Sequence, residues 1–190
     1  MKKELGKHTY FFPLPVLIIG TYDEEGRPNA MNAAWGGVYD TDKVFVCLSS
    51  DHKTTQNIVK KRAFSISFAD KEHVSEADYF GIASGNSVID KISVAKMNVV
   101  PSNNIEAPII QELPVALECK VVSIMSDDND TTFVIADIVN VLAEENVLNN
   151  DGKIDLDKVK FISYDPSLHR YYSLGEKVGN AFKDGLKIKE

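Results

Sequence analysis

Residues 16–35 read VLIIGTYDEEGRPNAMNAAW. Val16–Tyr22 is a continuous apolar run rich in β-branched residues, and Asp23–Pro28 is a turn with Gly26 inside it. Asn29–Trp35 follows with small side chains throughout. Two strands joined by a Gly-containing turn predict a β-hairpin. Side chains alternate along a strand, so Asn29, Met31, Ala33 and Trp35 share one face. That face has two readings: small side chains let a ligand come close to the backbone, or they make a crowded contact within the sheet.

Working outward, Lys43–Ser49 and Ala63–Ala69 are two further strands, the second alternating well. Thr54–Arg62, Val74–Ile82 and Asp90–Ala95 read as short helices, the first with basic residues in its last turn, where the helix dipole favours them. Val115–Met125 and Thr131–Leu142 flank the polar turn SDDND and predict a second, longer hairpin. A polar loop at Glu144–Asp157 leads to strands at Phe161–Tyr164 and Tyr171–Leu174, then a mixed tail to Glu190. Six or more strands with several short helices predict an antiparallel barrel with helical decoration. No repeat, low-complexity segment or linker breaks the chain, so residues 1–190 read as a single domain.

Composition bounds the function. The 190 residues carry 21 basic and 28 acidic side chains, a formal net charge of -7. That balance argues against a broad nucleic-acid surface while leaving room for one small anion in a local pocket. Two cysteines, Cys47 and Cys119, are too few for a disulfide framework and lack metal-ligand spacing. The apolar run from Tyr10 to Ile19 is interrupted by Pro13 and Pro15 and is too short to span a bilayer. The expectation is a cytoplasmic protein with no membrane and no nucleic-acid partner.

Several motifs can be set aside. NNDGKID at 149–155 looks like a calcium loop, but aligning Gly152 to the sixth position puts Val147 and Lys158 at the two ends, where carboxylates are required. Neither GxGxxG nor GxxxxGK[ST] occurs. His8, His52, His73 and His169 are scattered, and no metal is expected. The segment SSDHKTTQN at 49–57 is more informative. It falls where a strand ends and a helix begins, with Asp51 or Thr54 as candidate caps. Unpaired N–H groups, the hydroxyls of Ser49, Ser50, Thr54 and Thr55, and the ammonium of Lys53 together suit a phosphate monoester. An ordinary polar helix cap is the competing reading. GIASGNSVIDK at 81–91 offers Ser84, Gly85 and Asn86 to a ligand, or serves as a helix C-cap and turn. YYSLG at 171–175, preceded by His169 and Arg170, needs only one of its tyrosines in the core. Cys47, between Val46 and Leu48, reads as a small core residue and not a redox thiol.

The stretches PLPVLIIGTYDEEGRPNAMNAAW, LSSDHKTTQNI, FGIASGNSVIDK and YYSLGEKVGNAFKDG, in this order, resemble the flavin reductase-like family of FMN-binding split-barrel proteins, which includes flavoredoxin. The resemblance implies a mainly β fold with short helices, a six-stranded antiparallel split β-barrel, in a homodimer with noncovalent FMN near the interface. It implies that Asn29, Ala30, Met31, Asn32, Ala33 and Trp35 surround the flavin ring, with Cys47, Leu48 and Ser49 continuing the wall. His52, Lys53, Thr54 and Thr55 would hold the phosphate. Ser84 and Gly85 would touch the ring or ribityl chain, with Lys91 and Tyr171 as further contacts. No catalytic side chain is assigned, because the chemistry belongs to the cofactor. The implied activity is reduction of flavin, a ferric chelate or another small acceptor by NADH or NADPH. The alternatives are an electron carrier serving a redox protein partner and a sensing flavoprotein without turnover.

Overall fold

The computed structural model describes residues 1–189. In chain order the elements are β1 (Leu14–Pro15), β2 (Leu17–Tyr22), β3 (Pro28–Ala33), β4 (Gly36–Asp40), β5 (Lys43–Ser49), α1 (Lys53–Lys61), β6 (Ala63–Phe68), α2 (Val74–Ile82) and α3 (Lys91–Val94). Then come β7 (Val99–Pro101), β8 (Pro108–Ile110), β9 (Val115–Ser126), β10 (Thr131–Ala143), α4 (Leu156–Val159), β11 (Ile162–Asp165) and β12 (Arg170–Ser173). The main sheet is antiparallel throughout, in the order β3-β2-β6-β9-β10-β5-β4.

The strand count differs from the expected six, and the reason lies at Ala34–Trp35. The chain pairs with β2 as far as Ala33, then crosses the sheet opening and pairs with β5 from Gly36 onward. One continuous stretch of chain therefore joins both edges of the sheet, and the seven strands are a six-stranded barrel whose joining strand is broken in the middle. Trp35 falls in that break and not on the strand face expected for it. The break is also why β4 escaped sequence reading: GGVYD is short and carries two glycines.

The barrel interior is one apolar cluster that includes Leu17, Ile19, Phe64, Ile66, Cys119 and Val134. A second cluster lies outside β2 and β3, where Val16, Ile18 and Ala30 pack on Phe80 of α2 and Ile92 of α3. This explains the unbroken apolar run of β2. Ile19 points into the barrel and Ile18 into the helical layer, so both faces are buried. The β7–β8 hairpin covers the outer face of β2 and β6, where Ser65 Oγ donates to Pro108 O at 2.5 Å. A separate three-stranded sheet, β1-β11-β12, brings the C-terminal hairpin back beside α2.

Candidate functional site

β3 pairs with β2 on one edge only, and β5 loses its pairing with β4 beyond Val46. Past Val46 the Cys47 N–H still donates to Trp35 O at 2.8 Å, and between the open edge of β3 and the end of β5 lies a cavity of about 640 Å³. Met31 to Trp35 line it without a gap, as do Cys47 to Ser49. Alternating side chains alone cannot produce consecutive lining residues, so backbone edges form this wall. Met31 itself packs in the barrel core, while Asn32 points outward and its Nδ2 donates to Ala77 O of α2 at 2.9 Å. Alternation holds as far as Ala33, with Met31 and Ala33 on the barrel cluster and Ala30 in the helical layer, and the cavity is lined edge-on.

A smaller cavity, of about 220 Å³, is lined by Asn29, Lys53, Gly85, Asn86, Arg27 and Asp23, among others. The two cavities lie along the same three segments. Asn29 meets the small one and Met31 the large; Lys53 and His52 divide likewise, as do Gly85 and Ile82. The small cavity has two cations, Arg27 and Lys53. Asp23 fixes the first, accepting from Arg27 Nε at 2.8 Å and from its backbone N–H at 2.9 Å.

Helix α1 starts beside this pair. His52 occupies the N-cap position in extended conformation, and no side chain caps the helix. The expectation of a cap by Asp51 or Thr54 is therefore corrected. Thr54 Oγ1 instead accepts from Asn29 Nδ2 at 2.8 Å, and Thr55 Oγ1 donates to Ser49 O at 2.7 Å. Both threonines are buried and line neither cavity; they fix β3 and the end of β5 against the helix start. The first-turn N–H groups keep the donor capacity that every uncapped helix start has.

Three more expected contacts line neither cavity. Ala30 is sealed in the layer between β3 and the helices. Ser84 Oγ accepts from Asn86 N at 3.3 Å and shapes the turn that carries Gly85. Lys91 is only 2% exposed, and its Nζ donates to Ala83 O at 2.8 Å and Phe80 O at 3.3 Å. It closes the C-terminal end of α2, and burial pulls its pKa down to about 8. Cys47 corrects the reading in the other direction. It lies on the outer face of β5 in the cavity wall, whereas Cys119 is the core cysteine. Burial and the nearby Asp127 raise the Cys47 thiol's pKa, which keeps it protonated and poorly nucleophilic.

Sequence reading missed part of the large cavity. Asp78, Gly81 and Ile82 come from α2, Asn129–Thr131 from the β9–β10 turn, and Tyr164 and His169 from the C-terminal hairpin. Asp78 sits in the middle of a helix with no motif around it. Its function shows only in space, where Tyr171 OH donates to Asp78 Oδ1 at 2.8 Å. Burial first and Asp78 second push the Tyr171 pKa up to about 12.

The protein is thus a split barrel with a wide cavity at its seam and, beside it, a small one lined by Lys53 and the Asp23–Arg27 pair. Comparison with known proteins gives that architecture a family. The family model for the flavin reductase like domain matches residues 9–158, and the chain belongs to the flavin reductase-like family. It is similar to the flavoredoxin of Desulfovibrio vulgaris (Miyazaki F), with 35% identity over 97% of this chain and 100% of that one and a TM-score of 0.92. Flavoredoxin from Methanosarcina acetivorans shares 27% identity over 99% and 98% of the two chains, with a TM-score of 0.87. A Shewanella frigidimarina protein described as a flavin reductase with a split barrel domain shares 20% over 88% and 84%, with a TM-score of 0.78. Among the described residues no helix is long and apolar enough to cross a membrane.

Proposed function

We propose that this chain binds FMN noncovalently, with the ring system in the large cavity and the phosphate in the small one. In this reading it serves as an oxidoreductase that takes electrons from NADH or NADPH and hands them to flavin, a ferric chelate or another small acceptor. The observation that carries the reading is that the two cavities are lined by neighbouring residues of the same three segments, β3, the start of α1 and the end of α2 with the turn after it. The larger volume falls in the range of sites that enclose a small organic ligand. Its lining, with the small Ala33 and Ala34 and with Trp35 at the mouth, leaves room for a flat ring, and the backbone of β3 and β5 offers donors and acceptors to a ring's polar rim. Lys53 and Arg27 supply charge where a phosphate would sit.

Bound flavin supplies two-electron and one-electron transfer. The residues of this chain bind and orient it. The α1 start and Lys53 would hold the anionic end, with Asn29, tied to Thr54 Oγ1, in the wall of the small cavity.

Titration of the purified protein with FMN and riboflavin tests the reading directly. Lys53→Ala should weaken FMN by roughly ten- to hundredfold, the ~1.5–3 kcal/mol of a charge-assisted hydrogen bond, and riboflavin much less. Equal losses would remove the phosphate assignment, and no binding of either ligand would remove the flavin. Anaerobic mixing with NADH and with NADPH then tests the donor through flavin bleaching. Two of the similar structures are named flavoredoxins, which favours a second reading: bound FMN as an electron carrier to a redox protein. Bleaching by neither nucleotide would select it.

A homodimer belongs to the same proposal. Trp35, Val38 and Tyr39 are exposed at and beyond the cavity mouth, a group of large apolar side chains that a second copy would cover.

A further inference from the structure

The C-terminal hairpin builds a wall of the large cavity from Tyr164, His169 and Tyr171. Tyr164 on β11 and Tyr171 on β12 are direct cross-strand partners, so their rings share one face, with centroids 5.7 Å apart. Their hydroxyls have different partners. Tyr171 OH donates to the carboxylate of Asp78 at 2.8 Å and also receives Asn32 Nδ2 at 3.4 Å. Its proton is committed to Asp78. Tyr164 OH lies 2.8 Å from His169 Nδ1, and His169 is open to solvent while also lining the cavity. His169 is held there with φ 53, a left-handed conformation uncommon for residues other than glycine.

We propose that Tyr164, recharged through His169, delivers a proton to a small conjugated carbonyl compound that accepts hydride in this cavity. The proposal rests on the flavin reading above, since the hydride comes from reduced flavin. The ligand class follows from the walls: Trp35, Tyr164 and Tyr171 offer flat faces to a planar conjugated molecule. Of the two tyrosine hydroxyls in this wall, Tyr164's is the one not held by a carboxylate, and it can donate to a carbonyl oxygen when His169 Nδ1–H donates to it. An enone takes hydride at its β-carbon, and the electron pair of its C=C shifts so that charge gathers on the carbonyl oxygen. The Tyr164 O–H bond breaks as an O–H bond forms on that oxygen, giving the enol, which tautomerises to the saturated ketone. The tyrosinate then takes a proton from Nδ1 of protonated His169, and His169 regains one from solvent. Tyr164 is thus a catalytic residue and His169 the relay that resupplies it.

The test uses the FMN-loaded protein, reduced with dithionite and mixed with 2-cyclohexen-1-one or with ferricyanide. The enone needs a proton; the one-electron oxidant needs none. The ratio of the two rates should fall by on the order of 10²-fold in Tyr164→Phe and also fall in His169→Gln. A second readout involves no turnover. 4-Nitrophenol bound to the oxidised holoprotein should be shifted toward its coloured phenolate by the Tyr164 hydroxyl, and Tyr164→Phe should lose that shift. Reduced wild type that leaves the enone untouched overturns the proposal. So does an unchanged rate ratio in both variants when each still binds FMN as wild type does. If wild type binds no FMN in the preceding titration, the flavin reading fails and takes this one with it, so the two failures are told apart.

Discussion

Gly85 carries more of the site than its size suggests. A Cβ built on it would come within 2.4 Å of Asn29 Oδ1 and 3.1 Å of Lys53 Cβ, closer than real Cβ atoms pack. Gly85→Ala must push Asn29 off Thr54 and crowd Lys53, and both line the small cavity. We expect FMN affinity to drop by about tenfold, ~1.4 kcal/mol, in a fluorescence titration, with riboflavin affected less. Residues of this kind were legible because their chemistry shows in the local sequence: a glycine in a polar turn, or a lysine at a helix start. Lys91 was legible only as a site residue of the wrong kind. The resemblance makes Lys91 a flavin contact, and nothing in IDKIS says that its ammonium turns inward to two carbonyl oxygens. Asp78 and Tyr164 were not legible at all, because their partners, Tyr171 and His169, are fixed by the packing of β11 and β12 beside α2.

Helix ends and strand edges decide more than helix and strand interiors. The end of α2 depends on a buried cation, which makes its stability depend on pH. An unfolded lysine titrates near 10.4, and the folded pKa of Lys91 is about 8. Between those values the unfolded chain holds more protons than the folded one, so this group makes stability rise with pH across that window. Urea midpoints of wild type and Lys91→Met at pH 7.5 and 9.5 check this: the advantage of wild type should be larger at the higher pH. In β9, Glu118 is 1% exposed and accepts from Ser102 Oγ, from Asn104 Nδ2 at 2.7 Å and from Asn140 Nδ2 at 2.6 Å. It ties the loop between β7 and β8 to the barrel wall. Glu118→Ala strands several donors and should cost about 3 kcal/mol in denaturant unfolding. Hydrogen exchange should show faster opening at Ser102–Ala107. The strands and their order along the chain were readable from alternation and turns, since β5 and α2 fall where expected. The short β1, β7 and β8 were not, because two or three residues carry no period.

At the scale of the molecule, the barrel is closed by a strand that is interrupted where the ligand is expected. Function and fold therefore meet at Ala34–Trp35: the break between the open edge of β3 and the end of β5 is the opening of the cavity. Periodicity could predict a barrel, but a break that depends on two strand edges failing to meet has no local signature. The exposed Val38 lies just beyond it. If a second copy covers that surface, Val38→Lys should shift sedimentation from dimer toward monomer, while far-ultraviolet circular dichroism keeps the wild-type shape. A wild type that sediments as a monomer at micromolar concentration would remove the dimer.

Trp35 is the one tryptophan among the 190 residues, and it stands at the rim of the cavity. The molecule thus carries an optical reporter at its seam. Flavins absorb where indole emits, so a ring bound in that cavity would drain the emission of Trp35 by energy transfer without any label. Arrival of a second copy over the same rim would shift its wavelength. Occupancy and assembly can be followed separately, in one cuvette, from a single side chain.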